Sequence, residues 1–208
     1  LTLEAGKSLE SVAGVSFRNN GDVIHNKPRP VPENLDEIPW ISDVYKRHLG
    51  EKTIKKYFYA SITWPYIQVL TARGCPYNCS FCNIPSKKTY RTRSVENVVA
   101  EFEFIQNEMP YVNEVFIEDD TFPVFKKRTL EICEAFKKNG IRLTWSCNAR
   151  VNTDDETLRV LKGAGCRLLC VGFETPHAND LKAIIKGATQ NMQTEFMKNS
   201  EKEHLLVN

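Results

Sequence analysis

The stretch NEVFIEDDTFPVFKKRTLEICEAFKKNGIRLTWSC, residues 113–147, decides the fold class. It opens on an apolar run, Val115-Phe116-Ile117, which predicts a strand over 113–118. Leu130, Cys133 and Phe136 then recur at the spacing of one helix face, predicting a helix over about 125–138. Asn139-Gly140 closes that helix, because residues tolerant of left-handed backbone commonly end helices. Residues 141–147 supply the next strand. Strand, helix and strand in this order form a β-α-β unit, whose two strands lie parallel with a right-handed crossover.

Working outward, the same alternation repeats. Upstream, 67–72 reads as a first strand, followed by a helix over 94–108 with Ser94 as N-cap and Val95, Val98, Val99, Phe102 and Ile105 on its apolar face. Downstream, Thr153 and Glu156 read as a capping box, opening a helix over Leu158 and Leu161 that stops near Gly163 and Gly165. Residues 167–173 are apolar enough for a strand buried on both faces, and a last helix spans about 177–186 with Leu181, Ile184 and Ile185. Four such units predict a parallel α/β sheet, either doubly wound or part of a barrel.

The first 60 residues read differently. Residues 15–18 and 22–25 flank Asn19-Asn20-Gly21, a hairpin signal. Pro28, Pro30, Pro32 and Pro39 then force extended backbone, a linker feature, before one short helix over 41–49. Hence 1–60 is expected to be linker or the tail of a preceding domain, and 61–208 the α/β core. The chain begins at Leu1 and ends in the apolar run Leu205-Leu206-Val207, so it reads as a piece of something longer.

Composition narrows the function. Lys and Arg number 28 against 26 Asp and Glu, a net charge of +2, which supplies no broad field for nucleic acid. With 41% hydrophobic and 26% charged residues the chain is that of a folded globular protein. No apolar run is long enough to span a membrane and no signal peptide opens the chain, so a cytoplasmic location is expected. Seven cysteines, an odd number in a reducing compartment, favour metal ligation over a disulfide framework.

Three of them stand in Arg73-Gly-Cys-Pro-Tyr-Asn-Cys-Ser-Phe-Cys-Asn83, directly after the first strand. Cys75, Cys79 and Cys82, spaced C-x3-C-x2-C, can close around one metal centre, with Gly74 and Pro76 suited to the sharp turn. A structural zinc is normally held by four protein ligands and most cubane clusters by four cysteines. Three thiolates on a cubane would leave one iron open. The rival reading is a zinc knuckle borrowing a remote fourth ligand. Cys133, Cys147, Cys166 and Cys170 fall on predicted helices and strands and read as small buried hydrophobes.

In parallel α/β folds functional groups collect at the carboxyl ends of the strands. The cysteine loop, Glu118-Asp119-Asp120, Asn148 with Arg150, and Glu174 each follow one strand, so they would share a rim. The basic cluster Lys87, Lys88, Arg91 and Arg93 is expected to be a solvated face, and Tyr57, Trp64 and Tyr66 are expected to pack at the domain junction.

The cysteine spacing with Phe81 before the last cysteine resembles the signature of the radical S-adenosylmethionine (radical SAM) superfamily. The resemblance implies a partial (β/α)6 TIM-like barrel, here truncated after about four β/α units and preceded by the hairpin and linker. It implies that Cys75, Cys79 and Cys82 hold a [4Fe-4S] cluster whose open iron chelates S-adenosylmethionine, which is reductively cleaved to a 5′-deoxyadenosyl radical. Asp119 or Asp120 would hold the methionine amino group, Glu174 the ribose, Phe81 would lie along the adenine, and Arg150 would approach the carboxylate. Tyr90-Arg-Thr-Arg-Ser94, Asp119-Asp-Thr-Phe122, Trp145-Ser-Cys-Asn-Ala-Arg150 and Gly172-Phe-Glu174 are similar to the cobalamin-binding-domain subgroup, most of all to hopanoid-biosynthesis members. Methyltransferases and the anaerobic cyclase of chlorophyll synthesis are relatives there.

The subgroup implies cobalamin as a further cofactor. No Asp-x-His-x-x-Gly motif surrounds His25, His48, His177 or His204, so the cobalamin-binding domain would lie outside this chain. The expected substrate is a small molecule or lipid, hopanoid or tetrapyrrole-like, and the expected reductant a flavodoxin or ferredoxin. The alternatives are a cobalamin-independent radical SAM enzyme and a non-enzymatic iron–sulfur electron carrier, the latter requiring a fourth protein ligand.

Overall fold

A computed structural model of the chain describes residues 2–84 and 89–208, so Lys87 and Lys88 lie outside the described residues. The chain forms two compact units, residues 1–33 and 34–208. In the first, strands β1 (Ser16–Asn19) and β2 (Asp22–His25) pair antiparallel. Asn20 and Gly21, both at positive φ (50° and 95°), make the tight turn between them. Such turns need left-handed backbone at both central residues, which Asn and Gly tolerate best.

The second unit begins earlier than the expected boundary near residue 60. Its first helical segment, α1 (Ile41–Val44), a π-helical stretch over Tyr45–Leu49 and α2 (Gly50–Ile54), runs five residues beyond the expected helix. Ser42 donates from its N–H (3.2 Å) and its hydroxyl (2.7 Å) to the buried Glu101 carboxylate, and Ile54 joins the main core. Glu101 also pairs with Arg93, which is therefore buried and not part of a solvated face. The stretch 34–60 thus packs as a layer of the α/β unit. Tyr57 and Trp64, expected to pack at the domain junction, are instead substantially exposed.

The remaining elements alternate. They are β3 (Tyr66–Val69), the short antiparallel pair β4 (Ala72–Arg73) and β5 (Arg91–Thr92), α3 (Val95–Glu108), β6 (Glu114–Ile117) and α4 (Lys126–Lys138). There follow β7 (Thr144–Ala149), α5 (Asp155–Gly163), β8 (Cys166–Val171), α6 (Ala178–Ala183), α7 (Gln190–Lys202) and β9 (Leu206–Val207). Ser94 caps α3 as expected, accepting from Asn97 N–H at 3.1 Å. At α5 the cap is Asp154, accepting from Thr157 N–H at 2.8 Å, while Thr153 turns back to donate to Arg150 O. Helix α7 has no counterpart in the sequence reading, because QNMQTEFMKNSEK buries only Phe196 and Ser200 and carries little apolar periodicity.

Strands β3, β6, β7, β8 and β9 form one parallel sheet in that order. Sequential order settles the choice between doubly wound and barrel topology. Successive right-handed crossovers that always step the same way put every helix on one face, leaving the other as the inside of an arc. The helix-facing side is the core, with Val69, Val115, Ile117, Cys147 and Leu169 packed beneath α3, α4 and α5. Trp145 anchors it, its ring edge-on to Phe122 and Phe136 at 5.5 and 6.1 Å and its indole N–H donating to Ala164 O. The opposite face carries Phe116, Leu168 and Cys170. The fold is a partial TIM-like α/β barrel.

A register shift in β8 changes one residue's fate. Trp145 pairs with Cys166 but Ser146 pairs with Leu168, so a bulge intervenes and strand parity switches. Cys166 faces the helices in the main core, whereas Cys170 faces the inside of the arc. The expectation that both are buried core residues holds for Cys166 alone. Cys133 and Cys147 are core residues as expected.

Candidate functional site

The site begins where β3 ends. Thr71 and Ala72 turn the chain upward into β4, and their N–H groups donate to Asp119 Oδ1 at 2.6 and 2.9 Å, with the Thr71 hydroxyl on Oδ2. Asp119 is 1% exposed, and burial pushes its carboxyl above the usual range despite these donors. Its carboxylate is thereby taken up in joining the ends of β3 and β6. Asp120, the next residue, turns the other way. Its Oδ2 accepts from Gly74 N–H at 3.1 Å and its side chain borders the cavity described below. Gly74 has φ 90°, so the cysteine loop starts on left-handed backbone that glycine takes without strain.

Further contacts pin the loop. β4 and β5 close its base through the pairs Ala72↔Thr92 and Arg73↔Arg91. Ser80 N–H donates to Ile184 O at 2.9 Å, and Asn152 donates to the Tyr77 hydroxyl at 2.9 Å. The Arg150 guanidinium lies 3.7 Å from the Tyr77 ring centroid, a cation–π contact. The same guanidinium points Nη1 at Cys79 Sγ (3.6 Å) and Nη2 at Lys186 O.

Inside the loop lies a cavity of about 230 Å³. Cys75, Cys79 and Cys82, none of them in a disulfide, border it together with Phe81. Asp120, Asn148 and Arg150 form further wall from the ends of β6 and β7, and Cys170, Gly172, Glu174 and Lys186 complete it. Thus the predicted residues Phe81, Asp120, Arg150 and Glu174 are brought together around the three cysteines. Asp119 and Glu118 are not among the lining residues; Glu118 instead accepts from Gln68 Nε2 at 2.9 Å. Between the two aspartates, only Asp120 reaches the cavity.

Two lining residues escaped the sequence reading. Cys170 was hidden by the bulge. Lys186 lies twelve residues beyond Glu174 and nothing in local spacing marks it, yet its ammonium is 2.6 Å from Glu174 Oε1 and 7% exposed. Glu174 itself sits at φ 63°, left-handed backbone that a glutamate takes only when its surroundings impose it.

The donor chemistry suits an iron–sulfur cluster. The thiols are soft ligands set on one loop, the donor type that iron–sulfur clusters take. Arg150, 8% exposed, keeps a buried Nε without a hydrogen-bond partner, a donor in a residue that faces the thiols. Burial raises the Cys75 thiol above its usual value, while the Tyr77 N–H and the Arg150 charge oppose that rise, so both favour the thiolate that ligation requires.

Residues 69–205 match the signature of the Radical SAM superfamily. The chain belongs to the radical SAM superfamily. That superfamily of enzymes uses a [4Fe-4S] cluster and S-adenosylmethionine, and the match runs from the last residue of β3, before the cysteine loop, to just past α7. The chain is 34% identical to an uncharacterized methyltransferase of Pyrococcus horikoshii, over 96% of this chain and 42% of that protein. It is 31% identical to the hopanoid C-2 methylase of Rhodopseudomonas palustris over 54% of this chain and 23% of that protein. Its fold superposes, with a TM-score of 0.76 at 19% identity, on the cobalamin-dependent S-adenosylmethionine radical enzyme OxsB, covering all of this chain and 30% of that one. The chain therefore spans less than half the length of these relatives. Among the described residues no helix is long and apolar enough to cross a membrane.

Proposed function

We propose that this chain is the catalytic core of a radical SAM enzyme acting on an unactivated carbon, with Cys75, Cys79 and Cys82 as the cluster ligands. One observation carries the reading: three cysteine thiols, a guanidinium directed at one of them, and two carboxylates border a single cavity at the carboxyl ends of parallel strands. Cys75, Cys79 and Cys82 would hold a [4Fe-4S] cluster there, which when reduced would supply the electron for cleavage of S-adenosylmethionine.

The chain's own residues have distinct tasks in this reading. Asp120, already holding the loop through Gly74, offers its other oxygen to the cofactor's ammonium group. Arg150 donates to Cys79 Sγ, stabilising the thiolate, and its charge attracts the cofactor's carboxylate. Glu174 accepts from the ribose hydroxyls. Phe81, about half exposed, provides an aromatic face beside the adenine. The walls of the cavity limit water around the reacting atoms.

Cobalamin, held by a domain outside these residues, is the companion cofactor that the subgroup motifs favour, and methyl transfer is the reaction that the relatives' names favour. A sterol-like lipid or a tetrapyrrole is the favoured substrate class, with a flavodoxin or ferredoxin as electron donor in the cytoplasm. A cobalamin-independent reaction is the alternative if no such domain accompanies this one.

The decisive experiment is anaerobic reconstitution of the cluster, reduction, addition of S-adenosylmethionine and assay of 5′-deoxyadenosine. Cleavage in the wild type, with loss of the cluster's visible absorbance in Cys79→Ala, is the expected result. A fully loaded wild type that neither binds nor cleaves the cofactor would overturn the proposal.

A second reading, a closed cluster in an electron carrier, draws support from Cys170, a fourth thiol on the cavity wall. It differs in one respect that can be measured: a four-thiolate cluster would be damaged by loss of Cys170.

A further inference from the structure

Lys186 is a buried lysine at a cofactor cavity, and burial of an ammonium group is costly unless it is paired. It is held on every side. Its N–H donates to Leu181 O at 3.2 Å, its carbonyl accepts from the Arg150 guanidinium, and its ammonium pairs with Glu174 Oε1 at 2.6 Å while standing 5.6 Å from the Phe81 ring centroid. One residue thus links the end of β8 and the cysteine loop through its side chain and the arginine that faces Cys79 through its carbonyl.

Gly172 lies against the pair. A Cβ at this position would lie 2.5 Å from Glu174 Oε1 and 2.8 Å from Lys186 Nζ, so the charged ends of both side chains rest over the bare glycine. Glu174 itself sits at a left-handed φ of 63°. Oε1 is spoken for, and among the described residues Oε2 makes no hydrogen bond. A carboxylate held by one oxygen at a fixed angle presents the other as an oriented acceptor, which suits a pair of adjacent hydroxyls.

We infer that Lys186 is a positioning residue: it fixes Glu174 so that the free carboxylate oxygen receives the ribose diol of S-adenosylmethionine. The inference rests on the proposed function, and it concerns cofactor affinity, not cluster assembly, since Lys186 touches no thiol.

The test uses the reconstituted holoprotein and reads S-adenosylmethionine binding by calorimetry, with iron and sulfide content measured alongside. Lys186→Met keeps the aliphatic stem and removes the charge. It should weaken binding about tenfold or more while cluster content stays at the wild-type level. Glu174→Gln should weaken binding similarly, and the double variant should be no worse than the weaker single one, because both remove one interaction. A 2′-deoxyribose analogue of the cofactor should lose affinity against the wild type but little further against Lys186→Met. Should Lys186→Met fail to fold, Lys186→Leu, which also removes the charge, should reproduce the weakened binding with a full cluster. Wild-type affinity in Lys186→Met or Lys186→Leu, or strictly additive losses in the double variant, would overturn the inference and leave the proposed function standing. A loaded wild type that does not bind S-adenosylmethionine would overturn both.

Discussion

Replacing Asp119 by alanine should be among the most damaging single changes in this chain, although the residue borders no cavity. Its carboxylate receives the N–H groups of Thr71 (2.6 Å) and Ala72 (2.9 Å) and the Thr71 hydroxyl, all in a fully buried setting. Alanine leaves two buried backbone donors without acceptors, at about 1–3 kcal/mol each. The sum, roughly 2–6 kcal/mol, is a large part of the 5–15 kcal/mol typical of a domain. The Asp119→Asn change would keep a carbonyl oxygen for the two N–H groups and should cost only about 1 kcal/mol.

The change is read by urea denaturation followed by circular dichroism. Because Thr71 and Ala72 launch the cysteine loop, Asp119→Ala should also lower cluster uptake, while Asp119→Asn should leave it near normal. The pH dependence follows from the same burial. The folded carboxyl has a raised pKa, so the folded state holds the proton more tightly than the unfolded one. Its contribution to stability is then fully present below the unfolded value of about 3.9 and is lost as pH rises through the raised folded value. Wild type should accordingly lose stability relative to Asp119→Asn as pH climbs through that window. An Asp119→Ala protein within about 0.5 kcal/mol of wild type would refute the bracing role. So would an Asp119→Asn protein of normal stability that had lost cofactor binding, since that outcome makes the carboxylate a ligand.

Two further outcomes are expected. Cys170→Ala should retain both the cluster and its binding of S-adenosylmethionine, measured by iron content and calorimetry; loss of the cluster would favour the four-thiolate carrier instead. Arg167→Met should lower the thermal midpoint, because Glu114 is 0% exposed and depends on Arg167 Nε (2.9 Å) and Thr63 N–H (2.7 Å). Removing one partner of a buried pair costs roughly 3–5 kcal/mol, and partial exposure of Arg167 puts the expected value at the lower end. The Glu114→Gln, Arg167→Met double variant should recover part of that loss.

Much of the site was readable one residue at a time. The three cysteines fall close together on one loop, and a loop after a strand in a parallel α/β sheet lies on the functional rim wherever the sheet goes. The strands themselves were visible as apolar runs, and α3 and α4 as helical stripes. By contrast α7 was invisible, since a helix covering the sheet with only Phe196 and Ser200 inward leaves no strong periodic signal. Arg93 reads as one more exposed cation beside Arg91 until Glu101, eight residues on, is found facing it in the core.

Sequence by itself therefore determined the ingredients of the candidate site: thiols at fixed spacing, acids and an arginine at strand ends, and a β/α alternation that permits only a parallel sheet. These are properties of neighbours along the chain. Tertiary structure decided everything that depends on which distant groups meet. Strand order chose the barrel arc over the doubly wound sheet. One bulge turned Cys170 toward the cavity and left Cys166 in the core. Burial consumed Asp119 in backbone hydrogen bonds and left Asp120 for the site. The pairing of Lys186 with Glu174 needed the full three-dimensional fold, because desolvation and charge pairing act through space and leave no mark on local spacing.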